Sequence, residues 1–133
     1  MVDFGTAITA DWVDRTGQHR GGVIAPGIHA MMKALLKDAH ALDASLIDVP
    51  PPGSMGPLGC TTSEGVCLGV HLSAAGLVEK LVLRGERLLG ESSTLILTGG
   101  DAQQISGYLD VPYERDESLV LRGLEALVLS RQS

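Results

Sequence analysis

An aspartate, a glycine and a threonine stand within four residues of one another in the opening stretch Val2-Asp3-Phe4-Gly5-Thr6. The alternating run Ala7-Ile8-Thr9-Ala10-Asp11-Trp12-Val13 follows at once. Alternation of period two suits a half-buried strand with one apolar face. Gly5 carries no side chain, so backbone N–H groups there can lie close against an anion. The Thr6 hydroxyl adds a donor, and the Asp3 carboxylate can hold a cation that neutralises phosphate. A strand entering a Gly-Thr turn is also common without any ligand. Taken alone, the stretch leaves both readings open.

The next segments narrow the choice. Asp14-Arg15-Thr16-Gly17-Gln18 is turn-rich, and Gly21-Gly22-Val23-Ile24-Ala25-Pro26-Gly27 reads as a returning strand that ends on Pro-Gly. In this combination the chain resembles the type III pantothenate kinases. Their second half opens with an Asp-x-Gly-Thr-Ala-x-Thr-x-Asp strand and continues through a Gly-Gly-x-Ile-x-Pro-Gly turn. Here those are Asp3 to Asp11 and Gly21 to Gly27. The family belongs to the actin-like sugar kinase superfamily. The resemblance therefore implies an α/β fold, a ribonuclease-H-like (actin-like ATPase) lobe with a mixed sheet and flanking helices.

The 133 residues suffice for one domain with a real core. Aromatic residues make up only 3% of the chain, so that core must be built from Leu, Val, Ile and Ala. A formal net charge of −6, with no run of Lys or Arg, argues against broad nucleic-acid binding. No signal peptide is evident and no apolar stretch near 18 residues is read, so neither secretion nor a membrane span is expected. Cys60 and Cys67 form no Cys-x-x-Cys pair and read as reduced thiols of a cytoplasmic protein. His19, His29, His40 and His71 share no ligand spacing, so a His/Cys metal site is not expected.

Apolar residues at 28, 31, 32, 35 and 36 mark one face of a helix of about three turns, with His29 and Lys33 on the wet face. From Asp43 to Thr61 the prolines and glycines predict a long irregular loop, either a lid or a surface excursion. Thr61-Thr62-Ser63-Glu64 has the form of a capping box, so a long helix should run on to about Leu89. Within it Gly65, Gly69, Ser73 and Gly76 share one stripe. A glycine costs a helix roughly 1 kcal/mol, so such a stripe implies a close neighbour, either an internal helix or another subunit. Val66, Leu77, Val78, Leu81, Val82, Leu88 and Leu89 are the expected core face. Thr94-Leu95-Ile96-Leu97-Thr98 then reads as a buried strand running into Gly99-Gly100-Asp101-Ala102 and a helix start. Such a turn lets a nucleotide lie against bare backbone, or is simply a tight connection. Glu117 to Leu129 reads as a final helix with a packing role.

The resemblance runs from Asp3 to about Leu129, taking in Thr98 to Ala102 and Leu119 to Leu124, yet covers only the second of the family's two lobes. It implies that residues 1–133 are one domain equivalent to the C-terminal lobe. It further implies that Gly5 and Thr6 form a phosphate loop, with Asp3 near Mg²⁺ or a monovalent cation (K⁺ or NH₄⁺). Gly99 and Gly100 would face ATP, and Thr62 would touch pantothenate. Two family elements are absent from the sequence. One is the Asp-x-Gly-Asn-Thr phosphate loop of the first lobe. The other is a Gly-x-Asp-Arg segment, whose Asp is the general base and whose Arg holds the pantothenate carboxylate. The family's Thr-Ala-x-Leu-Pro is replaced by Ala39-His40-Ala41-Leu42-Asp43, which weakens the expected substrate-side geometry.

Phosphoryl transfer needs nucleophile and γ-phosphate held in line. Half a cleft cannot do this, so the chain is expected to be inactive alone. It would be either a separated half or one subunit of a heteromeric pantothenate kinase, catalysing the first step of coenzyme A synthesis. A chain resembling the first lobe would be its partner, with further dimerisation of that heterodimer. The alternatives are a non-catalytic nucleotide-binding or scaffold lobe, a superfamily kinase for another small alcohol, and, last, a free-standing structural module.

Overall fold

In the computed structural model, residues 1–38 and 54–131 are described. The replaced stretch Ala39–Asp43 and most of the expected irregular loop, including Pro50-Pro51-Pro52-Gly53, lie outside the described residues.

A five-stranded mixed sheet organises the rest. Strand β1 (Val2–Phe4) pairs antiparallel with β2 (Ala7–Val13), and β2 pairs antiparallel with β3 (His19–Pro26). On its other side β1 runs parallel to β4 (Ile96–Thr98), which runs parallel to β5 (Glu114–Arg115). The spatial order is β3-β2-β1-β4-β5, so the N-terminal strand is central. Alternation explains its burial. Val2 and Phe4 are buried while Asp3 between them is half-buried, and Ile8 and Ala10 continue the apolar face on β2. The β2–β3 hairpin is closed by Asp14, whose carboxylate accepts from the Thr16 hydroxyl and from the Thr16 and Gln18 N–H groups. The Thr16 hydroxyl bond is the main reason its carboxyl sits below the ordinary range.

Helix α1 (Ile28–Asp38) follows β3, and α2 (Thr62–Leu89) follows the undescribed stretch. The capping box at Thr61 forms as expected: Thr61 Oγ1 accepts from Glu64 N–H, while Glu64 Oε2 accepts from the Thr61 and Cys60 N–H groups. Gly90, in the left-handed region at φ 69°, ends α2. A short helix α3 (Ala102–Ser106) follows β4, and α4 (Leu119–Ser130) closes the chain. One apolar core joins β1, β2 and β4 to α1, α2 and α3.

Three expectations need correction. The α2 face that meets the core carries Cys67, Leu68, Val70, His71, Ala74, Ala75, Val78, Leu81 and Gly85, whereas Leu88 is 78% exposed. The small-residue stripe keeps both of its readings: Gly65, Gly69 and Gly76 have nothing within 4 Å of where a Cβ would stand, while Ala30 and Met31 of α1 line the same concavity as Gly65, Gly69 and Ser73. Helix α4 does not pack, since none of its residues is buried. Its side chains Val120, Leu121, Leu124, Leu127, Val128 and Leu129 are all more than half exposed, because no described element lies over it. Finally, α2 is long and apolar enough by length and composition to cross a membrane. In this fold it is the helix that covers the sheet.

The packing of α2 has a chemical readout. Cys60 is exposed ahead of the helix, whereas Cys67 is buried in it and burial pushes its thiol pKa up. Iodoacetamide at mildly alkaline pH should label Cys60 in the native protein and reach Cys67 only after denaturation. Equal native labelling of both would mean that α2 does not lie on the sheet as described.

Candidate functional site

Three turns meet at the C-terminal end of β1. The first is Gly5-Thr6, the two-residue link from β1 to β2, where Gly5 N–H donates to Ala7 O at 3.1 Å. The second is Pro26-Gly27, laid across it by the β2–β3 register that sets Ala7 opposite Pro26. Gly27 N–H donates to Thr6 O at 3.1 Å, and a Cβ on Gly27 would meet the carbonyl oxygens of Gly5 and Thr6, the latter at 2.6 Å. Only glycine lets the start of α1 come this close. Gly27→Ala should cost about 1–3 kcal/mol by overpacking against rigid backbone. A fall in the melting midpoint checks this, and an unchanged midpoint would mean the two turns are not in contact.

The third turn is Gly99-Gly100-Asp101. Parallel pairing sets Thr98 beside Asp3, so the chain leaves β4 directly over the end of β1. Gly99 has φ +95°, and a Cβ there would strike the Asp3 carboxylate and come within 2.5 Å of Phe4 O. Asp101 N–H donates to Phe4 O at 3.1 Å and secures the crossing. The fold thus brings together Asp3, Gly5, Thr6, Gly99 and Gly100, which the sequence separates by more than 90 positions.

The Asp3 carboxylate is half-buried among these turns and has no hydrogen-bond or ion-pair partner among the described residues. A half-buried carboxylate with no ion-pair partner among the described residues suits a hydrated metal ion that also takes phosphate oxygens. No group of three His, Cys, Asp or Glu that could hold a metal occurs among the described residues. Gly5 departs from its expected part, since its N–H is turned onto Ala7.

Thr62 stands apart. It is the exposed first residue of α2, and no hydrogen bond among the described residues ties it to the three turns. Beside Gly99 and Gly100 lies a cleft of about 380 Å³ completed by Gln103, Arg115 and Glu117, with Arg115 and Glu117 paired at 3.3 Å. Sequence reading did not find Arg115. It reaches the turn because Leu97 pairs with it across β4 and β5, and a two-residue strand leaves no periodic signal.

The family model for type III pantothenate kinases matches residues 1–84, well over half the chain. The chain belongs to the type III pantothenate kinase family. It is 36% identical over 126 residues to a type III pantothenate kinase of Zymomonas mobilis, covering 95% of this chain and 45% of that protein. It is 35% identical over 133 residues to one from Rhodospirillum rubrum, covering 100% of this chain and 49% of the relative. The chain spans about half the length of the curated relatives it matches, and it fits their C-terminal half. In structure it resembles a Campylobacter jejuni protein described as a Baf family transcriptional activator, with a TM-score of 0.66 and 24% identity. That likeness covers 98% of this chain and 57% of the other, and concerns the fold alone.

Proposed function

We propose that this member of the type III pantothenate kinase family is the C-terminal, ribonuclease-H-like lobe of an ATP-dependent pantothenate kinase acting in the cytoplasm. The sheet order β3-β2-β1-β4-β5 and the meeting of three turns over the central strand support the lobe assignment. The single observation that carries the functional reading is the Asp3 carboxylate, half-buried between the Gly5-Thr6 and Gly99 turns and without a partner among the described residues.

In this reading Asp3 holds Mg²⁺ through water, and a monovalent cation (K⁺ or NH₄⁺) shares the phosphate end. The metal supplies charge neutralisation at the phosphates. The Thr6 hydroxyl donates to a phosphate oxygen, and the start of α1 beside it adds the positive end of an 11-residue helix. Bare backbone at Gly99 and Gly100 accommodates adenosine, while Thr62 meets pantothenate. The general base and the pantothenate carboxylate partner come from a complementary lobe, which in the relatives belongs to the same polypeptide of about twice this length. The unpacked apolar face of α4 supports the existence of such a partner surface.

A non-catalytic nucleotide-binding lobe is the second reading, favoured by the Gly5 N–H engaging Ala7. Pantothenate-dependent ADP release, measured with a co-expressed chain carrying Asp-x-Gly-Asn-Thr and Gly-x-Asp-Arg, separates the two. Release supports the kinase. Silence with ATP still bound supports the non-catalytic lobe.

A further inference from the structure

At the far end of the sheet from Asp3 lies a second concavity of quite different chemistry. A cleft of about 620 Å³ opens between the β2–β3 hairpin and the last turns of α2. The register places it well away from the three turns: β2 runs from Ala7 beside them to Trp12, a span of about 16 Å at roughly 3.3 Å per residue.

Three of the chain's ten Lys and Arg residues, Arg20, Arg84 and Arg87, line this one cleft. No carboxylate lines it. In a chain of net charge −6 this is a local reversal of sign. Arg84 and Arg87 are exposed and have no ion-pair partner among the described residues. Among the described residues Arg20 pairs only with Asp14, at a loose 3.8 Å. The acidic groups nearest by are already engaged. Asp11, next to Gly22, takes His19 at 2.8 Å; Glu91 takes Arg15 at 3.2 Å; and Glu86 accepts the Ser93 N–H.

The cleft also has an aromatic wall. Trp12, the only tryptophan, sits on α2 because Gly85 leaves room for it: a Cβ there would collide with the indole. Gly21 and Gly22 leave the facing strand without side chains. Guanidinium groups bind phosphate through paired N–H donors, and an indole beside them offers a stacking face.

We infer that this cleft binds a phosphate-bearing small molecule at a site separate from the proposed nucleotide turns. Trp12 makes the test direct, since it lines this cleft and no other indole interferes. Pyrophosphate titrated into the wild-type chain, against chloride at matched ionic strength, should change that emission saturably, with half-effect below about 1 mM. The Arg84→Gln/Arg87→Gln variant should weaken the response at least tenfold. Those positions are exposed, and circular dichroism verifies that the variant is folded. The Asp3→Asn variant should respond as the wild type does, which keeps this result independent of the kinase reading. An ADP arm distinguishes the source: tighter binding than pyrophosphate indicates a nucleotide-like ligand, and equal binding indicates the phosphate group alone. No saturable change, a change reproduced by chloride, or an unaltered response in the double arginine variant would overturn the inference.

Discussion

Gly99→Ala is expected to destabilise the protein by about 3 kcal/mol, while Gly100→Ala one residue later is nearly neutral. The difference is geometric. Gly99 sits at φ +95°, where a side chain costs roughly 1–2 kcal/mol, and its Cβ would also press on Asp3 and the Phe4 backbone for about another 1–3 kcal/mol. Gly100 has open space around its Cβ and no positive φ. Against a domain stability of roughly 5–15 kcal/mol, the first change removes a large share. Denaturant midpoints of the two variants check it. Equal midpoints would mean the Gly99 turn does not cross over β1, and the proposed site would lose that side.

Asp3→Asn should act in the opposite way, on chemistry and not on folding. No described residue pairs with the Asp3 carboxylate, so losing its charge breaks no ion pair, and the thermal midpoint should hold or rise slightly. In the lobe-complemented kinase the same change removes the proposed Mg²⁺ ligand. The rate should fall about 10²-fold or more, the scale on which aligned electrostatic groups act in transition states. Excess Mg²⁺ should recover part of the loss. An active Asp3→Asn enzyme of normal Mg²⁺ dependence would remove Asp3 from the site.

Local chemistry made much of this fold legible. The alternation around β2 and the capping box of α2 each specify their element through nearby residues, and both elements form as read. The Gly27 and Gly99 motifs are legible for a related reason: each glycine stands where another backbone passes within contact distance. What escaped depends on partners that sequence periodicity does not name. Leu88 has the spacing of a core residue, but it borders the open cleft between α2 and the β2–β3 hairpin and stays exposed. Helix α4 has apolar residues enough for packing and nothing among the described residues to pack on. Arg115 reaches the Gly99-Gly100 turn through a strand of two residues. His71, one of four histidines without shared ligand spacing, is fully buried, with Nδ1 2.6 Å from Cys67 O and its ring 5.1 Å from that of Tyr108.

The central claim is that this chain furnishes half of a kinase cleft. The most direct measurement is transfer of labelled γ-phosphate from ATP to pantothenate, at a fixed amount of this chain and increasing amounts of the complementary lobe. The account predicts no transfer at zero added lobe and a rise that saturates near one equivalent. Transfer by this chain alone, or none at any ratio in a complex that still binds ATP, would contradict it.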